Sequence, residues 1–191
     1  MVVILALTVG MTAFWYAPVL YSLGRPIYLQ KFASGSIKPV TSLPNNTMSY
    51  PRLGIDAPVS ISPTSSPLKT QDWSIIRQAL NQGVSLSFTE KDLSSAHLAF
   101  LTGHSSDSYP HPYSSVFAGL GEAKEGDKLY LNVDGSLHTY QVISHQEIDP
   151  YDISAFKNIA PNDSNSYLAV VTCWPVLTTN KRLVLLTKLL T

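Results

Sequence analysis

Near its C-terminus the chain carries two apolar, β-branched runs separated by a short polar loop, all within Leu168–Leu185. A continuous apolar run of this kind is typical of a strand that is buried on both faces. Pro175 has no backbone N–H to give to a sheet, so we expect the first strand to end near Cys173. Arg182 opens the second run. If the two strands are adjacent, Cys173 and Arg182 lie at the same end of a sheet.

Other short strand patterns occupy the region before these two runs. An Asp134-Gly135 pair, which favours a tight hairpin, separates two of them. Helix signals are few: a cap at Asp72 before an apolar face through Leu80, and one turn near Asp152–Lys157. Many short strands with few helices indicate an all-β barrel or sandwich. The earlier strands are predicted at Ser49–Ser60, Leu98–Thr102, Lys128–Val133 and His138–Ile148.

The N-terminal stretch, residues 1–23, contains no charged side chain. As a helix it would extend about 33 Å, which is enough to cross the hydrocarbon core of a bilayer. A cleaved signal peptide is the alternative, but such a peptide normally has a basic start and a shorter apolar segment. We predict a retained transmembrane anchor at 1–23, a Gly- and Pro-containing linker at 24–47 and one folded domain at 48–191.

Charge gives little information about orientation or partners. Arg25 and Lys31 are the basic residues that closely follow the predicted anchor, and taken alone they would place the C-terminal side in the cytoplasm. The whole chain has 13 Lys and Arg against 13 Asp and Glu. This balance gives no indication of a nucleic-acid partner.

Cys173 is the only cysteine, so it has no partner for an intramolecular disulfide or for a cysteine-based zinc site. Most lone cysteines are small buried apolar residues. Here, however, an apolar strand also leads into Gly103 and His104, so His, Cys and Arg each stand at a strand boundary. Together they offer a nucleophile, a proton donor and a persistent positive charge, which are the groups that acyl transfer needs.

These residues, in this order and spacing, resemble the sortases, the membrane-anchored cysteine transpeptidases of bacterial surfaces. The matching motifs are Thr102-Gly-His104, Thr172-Cys173 and Arg182. The stretches Tyr50–Val59 and Glu125–Leu129 resemble the family's opening strand pair and a mid-domain turn. The resemblance implies a closed eight-stranded sortase-type β-barrel with short helices, preceded by the N-terminal transmembrane helix.

The resemblance also implies a reaction and a location. Cys173 would form a thioester with a Leu-Pro-x-Thr-Gly-like sorting signal of a surface protein, after cleavage between Thr and Gly. His104 would handle the proton, Arg182 would stabilise the oxyanion, and Thr172 and Trp174 would contact the substrate. An amine of a cell-wall precursor or a pilin would accept the acyl group. The enzyme would be a single-pass protein of the bacterial membrane with its catalytic domain outside the cell.

Several alternatives stay open at this level. Ser105 follows the histidine where the family often has Arg, which bears on subclass; the sequence favours a wall-anchoring type similar to classes D and E. A pilin-polymerising sortase, a cysteine peptidase that uses water as acceptor, and a non-catalytic membrane-tethered binding barrel are the others. No cofactor or metal is predicted, because the carboxylates that could form a calcium site are scattered: Asp107, Glu147, Asp149 and Asp152. His111, in the loop after His104, is the strongest of the remaining histidines.

Overall fold

A computed structural model describes residues 14, 16–25, 28, 40–62, 73–88, 92–109 and 111–190. Most of the predicted anchor and much of the predicted linker lie outside these residues. Residues 16–25 are helical and contact the folded domain, with Val19 buried and Ser22 Oγ 3.1 Å from Ser115 Oγ. Among the residues described, none of the helices has the length and apolar character needed to span a bilayer.

Eight strands close into a barrel with the order β1-β2-β3-β4-β7-β8-β6-β5, as expected for the predicted fold class. The pairs β2–β3 and β4–β7 are parallel, and the other neighbours are antiparallel. The strands are β1 Thr47–Tyr50, β2 Ile55–Ile61, β3 Val84–Ser87, β4 Leu98–Thr102, β5 Lys128–Val133, β6 Ser136–Ile148, β7 Tyr167–Trp174 and β8 Lys181–Leu189.

Two helices and three 3₁₀ turns connect these strands. Helix α1, Trp73–Gln82, joins β2 to β3, and helix α2, Ile153–Lys157, joins β6 to β7. The Asp152 side chain caps α2 by accepting the Ala155 N–H at 3.0 Å. This helix is the turn that the sequence predicts near Asp152–Lys157. The 3₁₀ turns are Pro51–Leu53, Leu93–Ser95 and Ala118–Glu122.

The central residues of the two C-terminal strands are mostly apolar because they are buried on both faces. Leu168 and Val170 of β7 point into the barrel core, whereas Ala169 and Val171 pack in a second cluster with Phe156 of α2. Strand β8 alternates between the same two clusters. Burial on both faces explains why a continuous apolar run, rather than an alternating one, forms these strands.

One partly buried carboxylate, that of Asp127, joins the start of the barrel to its middle. Asp127 Oδ2 accepts hydrogen bonds from Tyr50 Oη at 2.8 Å, Arg52 Nε at 2.7 Å and the Lys124 N–H at 2.8 Å. Burial, and then the Asp127 carboxylate, raise the pKa of Tyr50, so its hydroxyl remains a donor at any working pH. The two stretches that resemble sortase motifs, around 50–59 and 125–129, therefore meet at this carboxylate.

We expect Asp127→Asn to lower the free energy of unfolding by about 2 kcal/mol, because three donors lose a charged acceptor. Thermal denaturation followed by circular dichroism should show a Tm lower by about 6 °C. Asp134→Asn is the matched control, since Asp134 is exposed in a hairpin turn that accepts Asn. Equal Tm values for the two variants would contradict a stabilising role for Asp127.

Candidate active site

Strand register brings His104, Cys173 and Arg182 into one row. Cys173 on β7 pairs directly with Arg182 on β8. On its other side β7 runs parallel to β4, with Thr102 opposite Val171, so two residues further on His104 stands level with Cys173. Neighbouring strands lie about 4.8 Å apart. The three predicted catalytic residues are thus adjacent across the sheet, although 69 positions separate His104 from Cys173.

All three residues line one cavity of about 900 Å³. Cys173, His104 and Arg182 are each half-buried, so their side chains are held by the protein and still reach the cavity. Arg77 and Leu80 of α1 form part of its wall, and Tyr16 and Val19 of the helical segment 16–25 border it. Such a cavity is large enough for a short peptide segment.

Thr172, a predicted substrate contact, lines the cavity and also joins β7 to the end of β4. Its side chain is 1% exposed, and its hydroxyl donates to the Gly103 carbonyl oxygen at 2.8 Å. The Gly103 N–H in turn donates to the Val171 carbonyl at 3.2 Å. These two bonds extend the pairing of β4 and β7 beyond the last paired residue of β4. Thr172 therefore fixes the position of His104 relative to Cys173, and the proton of its hydroxyl is used in the bond to Gly103.

Trp174, the other predicted substrate contact, is not among the residues that line the cavity holding Cys173. The indole packs over Gly121, where an added Cβ would lie 2.6 Å from the ring, and Nε1 donates to Glu147 Oε1 at 3.0 Å. Glu147 also accepts Lys181 Nζ at 2.7 Å. This carboxylate, one of the scattered candidates for calcium, is thus engaged by Trp174 and Lys181.

Arg182 is held near Cys173 by the backbone of the loop before β8. Its Nη1 donates to the carbonyl oxygens of Thr179 at 3.1 Å and of Lys181 at 3.0 Å. No carboxylate within salt-bridge distance of Arg182 occurs among the described residues. Its positive charge is therefore available to a group that becomes negative during a reaction in the cavity.

His104 lies in an environment that opposes its protonation. Burial lowers the pKa of this imidazole, Asp107 opposes that effect, and the charges of His111 and Arg77 add to the lowering. Burial acts to raise the pKa of Asp107, but the Tyr109 N–H and the two histidines outweigh it, so the carboxyl stays below its ordinary range. Sequence analysis missed Asp107 as a partner of His104, although a carboxylate three residues after the histidine was the available signal.

The cluster His104, Asp107 and His111 also has the composition of a metal site, with its possible ligand atoms within 4.8 Å of one another. However, the Tyr113 N–H donates to His111 Nδ1 at 3.3 Å. That bond uses the lone pair of Nδ1, so the proton of the neutral ring is on Nε2, which then has no lone pair for a metal. The cluster is therefore better described as two histidines that share one carboxylate.

Comparisons with known proteins agree with this geometry. A family model described as a sortase domain matches residues 48–190. Sortase A from Corynebacterium diphtheriae superposes with a TM-score of 0.58 at 20% identity, covering 76% of this chain and 60% of that one. Sortase C1 from Streptococcus suis gives 0.60 at 18%, with 77% and 73% covered. Sortase C from Streptococcus pneumoniae gives 0.59 at 18%, with 92% and 89% covered. Comparison with curated protein sequences gave no match.

The fold and the site together are a closed eight-stranded barrel with a Cys-His-Arg row where β4 and β7 end. With its domain matched almost end to end by the family model, the chain belongs to the sortase family.

The glycine before His104 is required for packing, which gives a testable prediction. A Cβ at Gly103 would lie 2.4 Å from Cδ2 of Phe117, a core residue with 0% exposure. We expect Gly103→Ala to lower the free energy of unfolding by about 2 kcal/mol and to displace His104. Chemical denaturation measures the first effect, and loss of activity the second.

Gly24→Ala is the control for this substitution, because nothing lies within 4 Å of a Cβ added there. Wild-type stability in Gly103→Ala would mean that Phe117 moves aside freely, which would refute the steric explanation.

Proposed function

We propose that this sortase is a cysteine transpeptidase that attaches surface proteins to the cell wall. The observation that carries the proposal is the row of His104, Cys173 and Arg182 along one cavity. The substrate would be a Leu-Pro-x-Thr-Gly-like sorting signal cleaved between Thr and Gly. The acceptor would be an amine of a cell-wall precursor.

The reaction balances with these three side chains alone. Cys173 Sγ, as thiolate, attacks the Thr carbonyl, and Arg182 stabilises the oxyanion that forms. The C–N bond to Gly then breaks, and the departing amine takes a proton from the His104 imidazolium, leaving a thioester. The incoming amine returns a proton to His104 as it attacks the thioester carbonyl. The new amide forms and Cys173 leaves as thiolate.

Pilin polymerisation is the second candidate, with a pilin amine as acceptor. It is favoured by the similarity to the sortase C of Streptococcus pneumoniae, whose structure is described in connection with pilin substrate specificity. The chemistry at Cys173 would be the same in both cases. Only the acceptor distinguishes the two.

We also propose that residues 1–23 anchor the chain in the bacterial membrane, because this stretch has no charged residue. The catalytic domain would lie outside the cell, because the proposed acceptor is an amine of the cell wall. Protease added to intact cells should then digest the catalytic domain. A domain that is protected until the cells are lysed would contradict this orientation.

The reaction is tested with the full-length chain in detergent, a panel of Leu-Pro-x-Thr-Gly peptides and a set of amines, with products identified by mass spectrometry. We expect a peptide cut after Thr and joined to a wall-type amine, and no product with Cys173→Ala. Joining only to a lysine-containing pilin peptide would favour the second candidate. Cleavage without joining would indicate a peptidase, and neither cleavage nor a Cys173 adduct would indicate a binding protein.

Arg182→Lys should reduce kcat/KM about 100-fold, because Lys keeps the charge but has a single nitrogen in place of the guanidinium fork. Lys181→Arg is the control, since Lys181 is exposed and its contact is with Glu147. Steady-state kinetics on the best peptide measures both variants. Wild-type activity in Arg182→Lys would exclude the assigned role in stabilising the oxyanion.

A further inference from the structure

Asp107 lies between two histidines beside the reactive row. Its Oδ2 atom is 3.4 Å from His104 Nε2 and 3.4 Å from His111 Nε2. The two imidazole rings are 5.5 Å apart, centre to centre, with an angle of 68° between their planes. Both Nε2 atoms are enclosed and make no ordinary hydrogen bond. A contact of 3.4 Å is slightly longer than such a bond, as is common at catalytic sites before substrate binds.

Hydrogen bonds within the loop hold this carboxylate in place. The Asp107 N–H donates to the Ser114 carbonyl at 2.7 Å, and the Tyr109 N–H donates to Asp107 Oδ1 at 3.2 Å. Oδ1 is therefore occupied, and Oδ2 faces the histidines. At the other side of the loop, Ser106 Oγ accepts the Leu177 N–H at 2.9 Å, which ties the loop to the connection between β7 and β8.

The orientation of His111 directs a proton toward the same carboxylate. Because Tyr113 donates to His111 Nδ1, the neutral His111 ring carries its proton on Nε2, the atom that faces Asp107 Oδ2. His111 thus supports Asp107 as a donor while Asp107 Oδ2 also faces His104. This arrangement is the usual means by which a carboxylate orients an imidazole and fixes which nitrogen takes part in chemistry.

We propose that Asp107, supported by His111, is a positioning residue that holds His104 by its Nε2, so that Nδ1 exchanges protons with the reacting amines. This inference rests on the transpeptidase function proposed above. The proton that the leaving amine takes comes from His104 Nδ1, and the incoming amine returns one to the same atom. Asp107 stays ionised throughout and takes no proton.

Among the charged groups around His104, Asp107 also affects the pKa of the imidazole. Its own loop contributes Asp107 and His111, α1 contributes Arg77, and the cavity contributes Cys173 and Arg182. Of these, Asp107 is the carboxylate, and it opposes the lowering of the His104 pKa by burial. Without it, less of the histidine would be protonated at neutral pH. The pH profile therefore separates this role from a purely structural one.

The test compares Asp107→Asn with Asp134→Asn in the full-length chain in detergent. Asn keeps the shape of the side chain and removes its charge, and Asp134 is exposed in the hairpin after β5. In the Cys173→Ala background, the His104 ring signal is followed by NMR as pH changes and assigned with His104→Gln. We expect Asp107→Asn to lower the pKa of His104 and Asp134→Asn to leave it unchanged.

Kinetics provides the second measurement, in chains that retain Cys173. In Asp107→Asn we expect kcat/KM to fall about tenfold at its maximum, with the acidic limb of its pH profile moved to lower pH. The limb moves down because the histidine loses its proton at a lower pH, and the maximum falls because less imidazolium is present. A fall in activity with an unmoved limb would indicate a structural role and overturn the proposal.

A pair of substitutions at His111 tests independently whether His111 supports Asp107, in case Asp107→Asn folds poorly. His111→Gln keeps a side-chain N–H that can reach Asp107 and should retain most activity, whereas His111→Phe should lose several-fold. Equal activity of the two variants would contradict the supporting role.

An unchanged His104 titration in Asp107→Asn refutes the positioning role whatever the activity. If the titration moves but no peptide is ever joined, the transpeptidase function fails instead.

Discussion

The parallel pairing of β4 with β7 is the constraint on which the active site depends. It places His104 level with Cys173, and the antiparallel partner β8 adds Arg182 to the same row. A register slip of one residue would turn alternate side chains to the opposite face and break the row. Two buried hydrogen bonds, from Gly103 to Val171 and from Thr172 to Gly103, prevent such a slip where β4 ends. Gly103 and Thr172 thus fix the register of the two strands, and His104 and Cys173 are the candidate reactive groups.

Burial gives the row its rigidity and also sets its electrostatic conditions. Strands β7 and β8 are packed on both faces, so Cys173 and Arg182 are presented from a part of the barrel that cannot easily shift. Burial of His104 itself lowers the pKa of the imidazole, whereas the proposed reaction uses the protonated ring as an acid. A carboxylate beside the ring offsets this conflict, and Asp107 is located where it can do so.

The two residues predicted to contact the substrate, Thr172 and Trp174, both donate hydrogen bonds within the protein. Thr172 lines the cavity while its hydroxyl donates to Gly103, whereas Trp174 packs on Gly121 and donates to Glu147 outside the cavity lining. The wall of the cavity comes partly from α1, through Arg77 and Leu80. Similarity at 18–20% identity to the sortase structures compared concerns the fold and leaves the acceptor open. Acceptor choice must therefore be sought in these walls.

The sequence by itself indicated seven of the eight strands, the hairpin at Asp134-Gly135 and the three candidate catalytic residues, but it did not predict β3, Val84–Ser87. These follow from local signals: apolar periodicity, turn residues, and a motif order that resembles one family. Tertiary structure decided which side chains face the cavity and which contact one another. Three features depend on loop conformation and on contacts between distant segments. They are the link from β1 to the turn before β5 through Asp127, the contact of Trp174 with Glu147, and the pairing of Asp107 with His104. Such contacts set the direction of a side chain at a strand end, and the strand and turn signals of the sequence do not specify them.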